Sequence, residues 1–149
     1  MRNSGFTIIE EVDGEDLHDF SEEAWTVFNA SRGWTNDLFA GSSIYLVAKV
    51  PTDDGEEIIG YTRMDIGRGV AYVASTIIAD DYRRLGHARD LMLGAEILAR
   101  EDGCHMMWLK TSEVHTEALK FWESIGFTLA ATLPNFELGL TWYIFTKEL

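Results

Sequence analysis

The feature that most constrains this chain is one continuous stretch, residues 70–100, in which an apolar run, a short basic turn and an amphipathic run follow one another. Residues 70–79 are rich in Val, Ile, Thr and Tyr, a composition that favours a buried strand over a helix. From Ala88 onward, apolar side chains recur at close to helical spacing. The stretch is therefore predicted to fold as strand, turn and helix.

The turn between the two runs, residues 80–88, has a chemistry that suits an anion. A helix that begins at such a turn directs its first free backbone N–H groups, and the positive end of its dipole, into the turn. Gly86 and Ala88 leave the backbone open to a ligand, because neither carries a bulky side chain. Three arginines add positive charge to the same region: Arg83, Arg84 and Arg89. We therefore expect a phosphate group to bind here.

Length and cysteine content limit the class of protein. At 149 residues the chain has the length of one domain, and we expect residues 1–149 to form a single one. The single Cys104 cannot form an internal disulfide, and no metal-ligand cluster surrounds it. No signal-peptide core and no apolar run of ~20 residues occurs. We expect a cytoplasmic protein with no bound metal and no membrane contact.

Charge limits the partners. Twelve Lys and Arg against 25 Asp and Glu give a net charge of −13. So negative a chain repels a phosphate backbone, which argues against nucleic acid as the main partner. A cationic substrate such as an amine is favoured, although the acidity has the alternative explanation that it only maintains solubility.

The rest of the chain supplies further strands and helices. Together these predict an α+β, or mixed α/β, fold with a mixed sheet of six to seven strands and about four helices, in the order βααββββαβαββ. The predicted elements are an opening strand at 6–9, a helix capped by Asp13 or Asp16, a short helix at 35–39, strands at 43–50 and 57–65, a strand at 105–110, a helix from His115 or Thr116 to Gly126, and strands at 127–132 and 140–146.

Two motifs carry a resemblance to a known family. Residues 82–88, Tyr-Arg-Arg-Leu-Gly-His-Ala, resemble the acetyl-CoA pyrophosphate loop of the GNAT superfamily of N-acetyltransferases, in which Gln or Arg, two variable residues, Gly, one variable residue and Gly or Ala follow one another. The loop stands between a β-branched strand and an amphipathic helix, as the motif requires. Residues 118–127 are similar to the Ala, aromatic, Gly-Phe ending of the family's fourth helix. The resemblance covers most of the chain and implies a GNAT-like fold.

The resemblance also implies where ligands bind. Two neighbouring strands splay apart after the loop in that family, and the pantetheine arm of acetyl-CoA lies in the gap. The cofactor residues it implies are Ile77, Ile78, Arg83, Arg84, Leu85, Gly86, His87, Ala88, Arg89 and Trp122. The family's acceptor site is walled by a segment that corresponds here to Trp34, Asn36 and Asp37, for which a plain surface loop is the alternative. Dimers formed through the C-terminal strands are common in the family, so a homodimer is expected.

The chain departs from the family at its catalytic positions. Trp122 stands where the family has a tyrosine general acid, and an indole N–H cannot give up its proton as a phenol can, so Trp122 is predicted to pack or to cover the cofactor sulfur. His115 replaces the usual asparagine and is either a proton-transfer group or a helix cap bonded to backbone. Glu113 is either a base or a solvated carboxylate. Tyr72 lies near the place where some relatives keep a carboxylate, which leaves the base unassigned. Trp25, Trp108 and Trp142 are predicted to be core aromatics.

The function that follows is transfer of an acetyl group from acetyl-CoA to a primary amine of a small molecule or peptide, by direct attack in a ternary complex. Cys104 is a poor nucleophile because it opens a buried strand with no base nearby in sequence. The alternative from another class is a non-catalytic acyl-CoA-binding or sensing module of the same fold. Transfer of a longer acyl group, or transfer to a hydroxyl, also stays open.

Overall fold

The computed structural model describes residues 10–35 and 40–149. These residues divide into two compact units, one on either side of Ala40. The opening strand predicted at residues 6–9, and the helix predicted at 35–39 apart from its first residue, lie outside the described residues, as do Asn36 and Asp37. Over the described ranges, no helix is long and apolar enough to cross a membrane.

The first unit contains one long helix, α1, which spans Gly14–Ala30. It begins where predicted, because the side chain of Asp13 accepts a hydrogen bond from the backbone N–H of Glu15 at 3.2 Å and so caps the first turn. Trp25 is 58% exposed on this helix, so the prediction that it is a core residue is wrong.

The second unit is a six-stranded mixed sheet with two helices. The strand order is β1-β2-β3-β4-β6-β5, in which β3 and β4 are parallel and all other neighbours are antiparallel. This confirms the mixed α/β class. The elements are β1 (Gly41–Thr52), β2 (Gly55–Gly67), β3 (Val70–Ile78), α2 (His87–Glu101), β4 (Met106–Ser112), α3 (Thr116–Ser124), β5 (Thr128–Leu133) and β6 (Trp142–Glu148).

One detail of the predicted order is wrong. The predicted order has four consecutive strands before the helix that follows the phosphate loop, whereas the structure has three. The reason is length: β1 and β2 run for 12 and 13 residues, and the turns that join β1 to β2 and β2 to β3 are two residues each, so no residues are left for a fourth strand. The described residues contain three α-helices, and the fourth predicted helix is the one at 35–39, most of which lies outside the described residues.

The core lies between one face of the sheet and the helices α2 and α3. Along β4, Met107 and Leu109 are buried on this face, while Trp108 and Lys110 point the other way and are only partly buried. Trp142 is likewise partly buried on β6, so neither of these two tryptophans is the core residue that was predicted. The core side chains are Met64, Ile66, Ala71, Val73, Met92, Ala95, Ala99, Cys104, Met107, Leu109, Trp122, Phe127 and Phe145.

Candidate functional site

A wedge opens between β3 and β4. The two strands pair at only three positions, which are Val70 with Met106, Ala71 with Met107, and Tyr72 with Trp108. Beyond Tyr72, β3 continues to Ile78 and β4 continues to Ser112, and in the described chain no further pair joins them. The gap therefore lies at the carboxyl end of both strands, and β3 leads from there into the predicted phosphate loop.

A β-bulge explains why the strands separate. In the pairing of β2 with β3, Arg63 is opposite Ser75 and Met64 is opposite Val73, which leaves Ala74 as an extra residue. A bulge bends its strand and increases the local twist. Because this one lies two residues past the last pair between β3 and β4, it turns β3 away from its neighbour.

The bulge is held by a buried hydroxyl. Thr62 of β2 is fully buried, and its Oγ1 donates to the carbonyl of Ser75 at 3.0 Å and lies 2.7 Å from Oγ1 of Thr76. The fully buried hydroxyl thus finds its partners on the bulged part of β3, which stabilises this backbone shape over a regular ladder.

Replacing Thr62 with valine is expected to loosen the bulge at nearly constant volume. We expect acetyl-CoA affinity to fall by about fivefold and unfolding free energy by about 1 kcal/mol, the usual contribution of one lost hydrogen bond. Calorimetric titration and denaturant unfolding measure the two effects. Thr146→Val, the same change on β6, is the control that should keep wild-type affinity, and equal affinity in both variants would contradict this role of Thr62.

The loop from β3 to α2 presents free backbone amides. Gly86 caps α2 with φ +87°, and the first helical bond runs from Asp90 N–H to the Gly86 carbonyl at 3.1 Å. Among the residues that the structure describes, no protein acceptor takes a hydrogen bond from any backbone N–H between Arg84 and Arg89. No atom lies within 4 Å of the position that a Cβ on Gly86 would occupy. Six consecutive amides and an open approach make this loop suitable for a diphosphate.

Two of the arginines that were predicted to bind phosphate make contacts within the protein that stabilise the loop. Arg83 donates from Nε to the carbonyl of Ile78 at 2.9 Å, and its Nη1 lies 2.9 Å from a carboxylate oxygen of Asp80. Arg84 pairs with Glu117 at the start of α3, at 2.7 Å. The guanidinium groups are thus committed within the protein, while the backbone amides beside them stay available to an anion.

The two predicted pantetheine positions lie on the β3 side of the wedge. Ile77 and Ile78 pair with Tyr61 and Gly60 of β2, and within the described chain neither has a strand partner on the β4 side. A glycine is needed at position 60 for β2 to lie this close to β3, because a Cβ on Gly60 would lie 2.6 Å from the Ile77 carbonyl oxygen. No strand of the described chain thus pairs with β3 on the wedge side here, which leaves room for an amide-bearing ligand arm, although the carbonyl of Ile78 already accepts a hydrogen bond from Arg83.

His115 is held by a residue that the sequence analysis did not single out. His115 precedes α3, its side chain caps no helix amide, and its Nδ1 lies 2.7 Å from Oγ of the fully buried Ser112. His115 is therefore the N-cap residue of α3, as the alternative proposed, but its side chain bonds to Ser112 rather than to backbone. Within the described residues Nε2 has no hydrogen-bond partner, and His115 is exposed, which leaves that nitrogen available for proton transfer. The sequence signal that could have identified Ser112 is a hydroxyl side chain at the end of a strand, three residues before His115.

The remaining residues that were predicted to belong to the site differ in their contacts and exposure. Glu113 is exposed, and its carboxylate accepts a hydrogen bond from the Thr141 amide at 3.2 Å, so it is partly committed to backbone. Tyr72 stacks on Trp108 with ring centroids 4.3 Å apart, at the point where the wedge opens. Trp122 is buried in the core against Phe121 and Phe127, which favours packing over a covering role. In the first unit, Trp34 is 46% exposed.

Two side chains on or just before β4 have shifted pKa values. The hydrogen bond that Lys110 donates to Glu137 raises the pKa of Lys110, against the lowering effect of burial, and so favours the ammonium form. Burial raises the pKa of the Cys104 thiol, and the charge of Asp102 adds to this effect. The thiol is thus kept neutral, which removes it as a nucleophile. The pairing of Lys110 with Glu137 had no sequence signal, because 27 residues separate them.

Comparisons with known proteins agree with this geometry. The family model that matches is the acetyltransferase (GNAT) family, over residues 8–127. Solved structures with a similar fold include an acetyltransferase from Bacillus cereus, at 19% identity and TM-score 0.72 over 96% of this chain and 98% of that one. A putative acetyltransferase from Agrobacterium tumefaciens has 22% identity and TM-score 0.67, over 97% and 99%.

A third structure was determined with its ligand. It is a putative streptothricin acetyltransferase from Bacillus anthracis in complex with acetyl coenzyme A, with 20% identity and TM-score 0.64 over 72% of this chain and 62% of that one. At such identities the likeness establishes the fold alone. A comparison with curated proteins finds no significant match. Because the family model spans well over half of the residues, the chain belongs to the GNAT family of acetyltransferases, acyltransferases that use acetyl-CoA as co-substrate.

Proposed function

We propose that this protein transfers an acetyl group from acetyl-CoA to the primary amine of a small molecule or peptide, by direct attack in a ternary complex. The observation that carries the proposal is the row of free amides from Arg84 to Arg89, placed beside the wedge between β3 and β4. The amides suit the diphosphate of acetyl-CoA, and the edge of β3 at Ile77 and Ile78, which no neighbouring strand of the described chain covers on the wedge side, suits its pantetheine arm.

The reaction needs few catalytic groups. The amine nitrogen attacks the thioester carbonyl, the carbon–sulfur bond breaks, the amine loses a proton and the thiolate gains one. Holding the two substrates in line supplies roughly 7 to 11 kcal/mol of the barrier. A thiol has a reference pKa of about 8.5, so the leaving group needs little assistance. One group that exchanges protons beside the wedge is therefore sufficient.

We assign that group to His115. Ser112 holds Nδ1 at 2.7 Å and so fixes the direction of the ring, while Nε2 is left to exchange a proton with the reacting groups. Glu113 and Tyr72 stay as secondary candidates, since one accepts a backbone hydrogen bond and the other stacks on Trp108. The net charge of −13 supports a cationic acceptor over an anionic one.

Replacing His115 with alanine is expected to lower kcat by about a hundredfold, the scale of general acid–base catalysis. Ser112→Ala is expected to give a smaller loss of about fivefold, because the ring remains but is no longer held. Release of free thiol from acetyl-CoA, with a panel of primary amines, measures both. His105→Ala, which lies just before β4 and at its opposite end, is the control. A kcat in His115→Ala equal to that of the control would remove His115 from the mechanism.

One observation favours a second candidate, a non-catalytic acyl-CoA-binding or sensing module. The position of the family's usual acid is Trp122, which is buried in the core and whose indole N–H cannot give up its proton to a leaving thiolate as a phenol can. The thiol-release assay separates the two functions. Tight binding of acetyl-CoA with no thiol release in the presence of any amine would favour the sensor.

We also propose a setting for this activity. Residues 1–149 act as one acyltransferase domain in the cytoplasm, with neither nucleic acid nor membrane as a partner. Copies pair as a homodimer through the C-terminal strands, for which β5, as an edge strand of the sheet, offers unpaired backbone. The molecular mass in solution tests the dimer.

A further inference from the structure

Four residues beside the wedge form what we call the ammonium cage: Lys110, Phe136, Glu137 and Trp142. The Nζ atom of Lys110 donates a hydrogen bond to the carboxylate of Glu137. It also lies 5.7 Å from the ring centroid of Phe136 and 5.6 Å from that of Trp142. A carboxylate beside two aromatic rings is an arrangement that binds ammonium groups in proteins. The cage therefore holds a positive charge of the protein itself.

The cage lies at the wedge. Trp108 is the last residue of β4 that pairs with β3, and Lys110 follows it by two residues, so both side chains point to the same face of the sheet. Tyr72 of β3 stacks on Trp108 at the point where the two strands part. The cage thus borders the gap that receives the thioester end of acetyl-CoA in the proposed function.

The loop before β6 is shaped to present the carboxylate. The indole N–H of Trp142 donates to the main-chain carbonyl of Glu137 at 2.8 Å. Leu138, the next residue, has φ +59°, a left-handed conformation that a leucine adopts only when its surroundings impose it. Phe136 and Glu137 are thus held in place by the backbone as well as by Lys110.

The charges around the cage favour a cation over an anion. Glu113 lies beside it, because its carboxylate accepts a hydrogen bond from the amide of Thr141, the residue before Trp142. Glu137 pairs with Lys110, and the exposed carboxylate of Glu113 adds one further negative charge near this end of β4. The side chain of Glu137 is 44% exposed against 28% for Lys110, so the carboxylate is the more accessible of the pair.

We propose that the ammonium cage binds a second positive charge on the acceptor, so that the preferred substrate is a diamine-like compound. One amine enters the wedge and the other binds Glu137 between the rings of Phe136 and Trp142. Lys110 occupies the cage in the free protein and moves into solvent on its flexible stem when the acceptor binds. The transfer step of this inference rests on the proposed function, whereas the binding step does not.

The test compares three acceptors of equal length: cadaverine, pentylamine and δ-aminovalerate. Calorimetric titration into the full chain saturated with CoA should give at least about tenfold tighter binding of cadaverine, the scale of one charge-assisted hydrogen bond. Glu137→Gln should abolish this preference. Lys110→Met should increase it, because the competing ammonium is gone. Glu123→Gln, which removes an exposed carboxylate of α3, is the matched control and should keep the wild-type preference.

Each result decides the inference. Equal affinities for the three compounds, or a preference for cadaverine that survives Glu137→Gln, would overturn it. If Glu137→Gln fails to fold, the preference of Lys110→Met for cadaverine decides the inference. A weaker preference in Lys110→Met than in the wild type would also overturn the ammonium cage. A thiol-release assay with the same compounds keeps the two proposals apart. If binding depends on Glu137 but no thiol is released, the ammonium cage is supported and acetyl transfer is rejected. If all three compounds are acetylated equally, acetyl transfer is supported and the ammonium cage is rejected.

Discussion

Replacing Gly86 with valine is expected to weaken acetyl-CoA binding by about a hundredfold. Gly86 has φ +87°, so any side chain here costs about 1–2 kcal/mol or forces the loop to change shape. A reshaped loop also withdraws amides from the diphosphate, and each charge-assisted hydrogen bond lost costs roughly 1.5–3 kcal/mol. Since a hundredfold corresponds to about 2.7 kcal/mol, the two losses together account for the expected effect.

Gly103→Val provides the matched control for this experiment. Gly103 has φ +83°, and like Gly86 it has no atom within 4 Å of its Cβ position, but it lies after the C-terminal end of α2. Both variants should therefore lose similar stability, while only the change at Gly86 touches the amide row. Calorimetric titration with acetyl-CoA distinguishes them. If the two variants bind equally well, the loop around Gly86 is not the diphosphate site.

The parts of the fold that could be predicted are those encoded by local pattern. The apolar run that ends at Ile78 and the helical spacing from Ala88 place β3 and α2 within a residue or two of their observed bounds. Asp13 caps α1 as its side chain and position indicate. The loop at Gly86 follows from the same logic, because a helix start and a glycine are both visible in sequence.

The parts that could not be predicted depend on contacts distant in sequence. The bulge at Ala74 depends on Thr62, a threonine of the neighbouring strand with nothing unusual in its local sequence. The ammonium cage depends on a loop residue, Glu137, that meets Lys110 across two strands. The roles of Arg83 and Arg84 were also beyond local pattern, because their partners are a strand carbonyl and a carboxylate on α3. Charge and the resemblance to the family's loop motif predicted ligand contacts for them.

The largest effect on stability is expected at an ion pair in the core that joins three elements. Lys147 of β6 lies 2.9 Å from the carboxylate of Glu96 on α2, and it donates to the Ile125 carbonyl after α3 at 2.8 Å. The side chain of Glu96 is only 10% exposed. Lys147→Met should lower the free energy of unfolding by about 3 kcal/mol, because it leaves a buried carboxylate with one distant partner.

That remaining partner supplies the control. Arg100 lies 3.4 Å from the same carboxylate but is 53% exposed, so Arg100→Met should cost less than about 1 kcal/mol, as surface pairs do. Chemical denaturation measures both changes. The double variant with Glu96→Leu and Lys147→Met should recover at least half of the loss, because the cost lies in the unpaired buried charge rather than in the missing lysine. A loss in Lys147→Met no larger than that in Arg100→Met would mean that water reaches Glu96, and that packing rather than charge pairing joins α2 to β6.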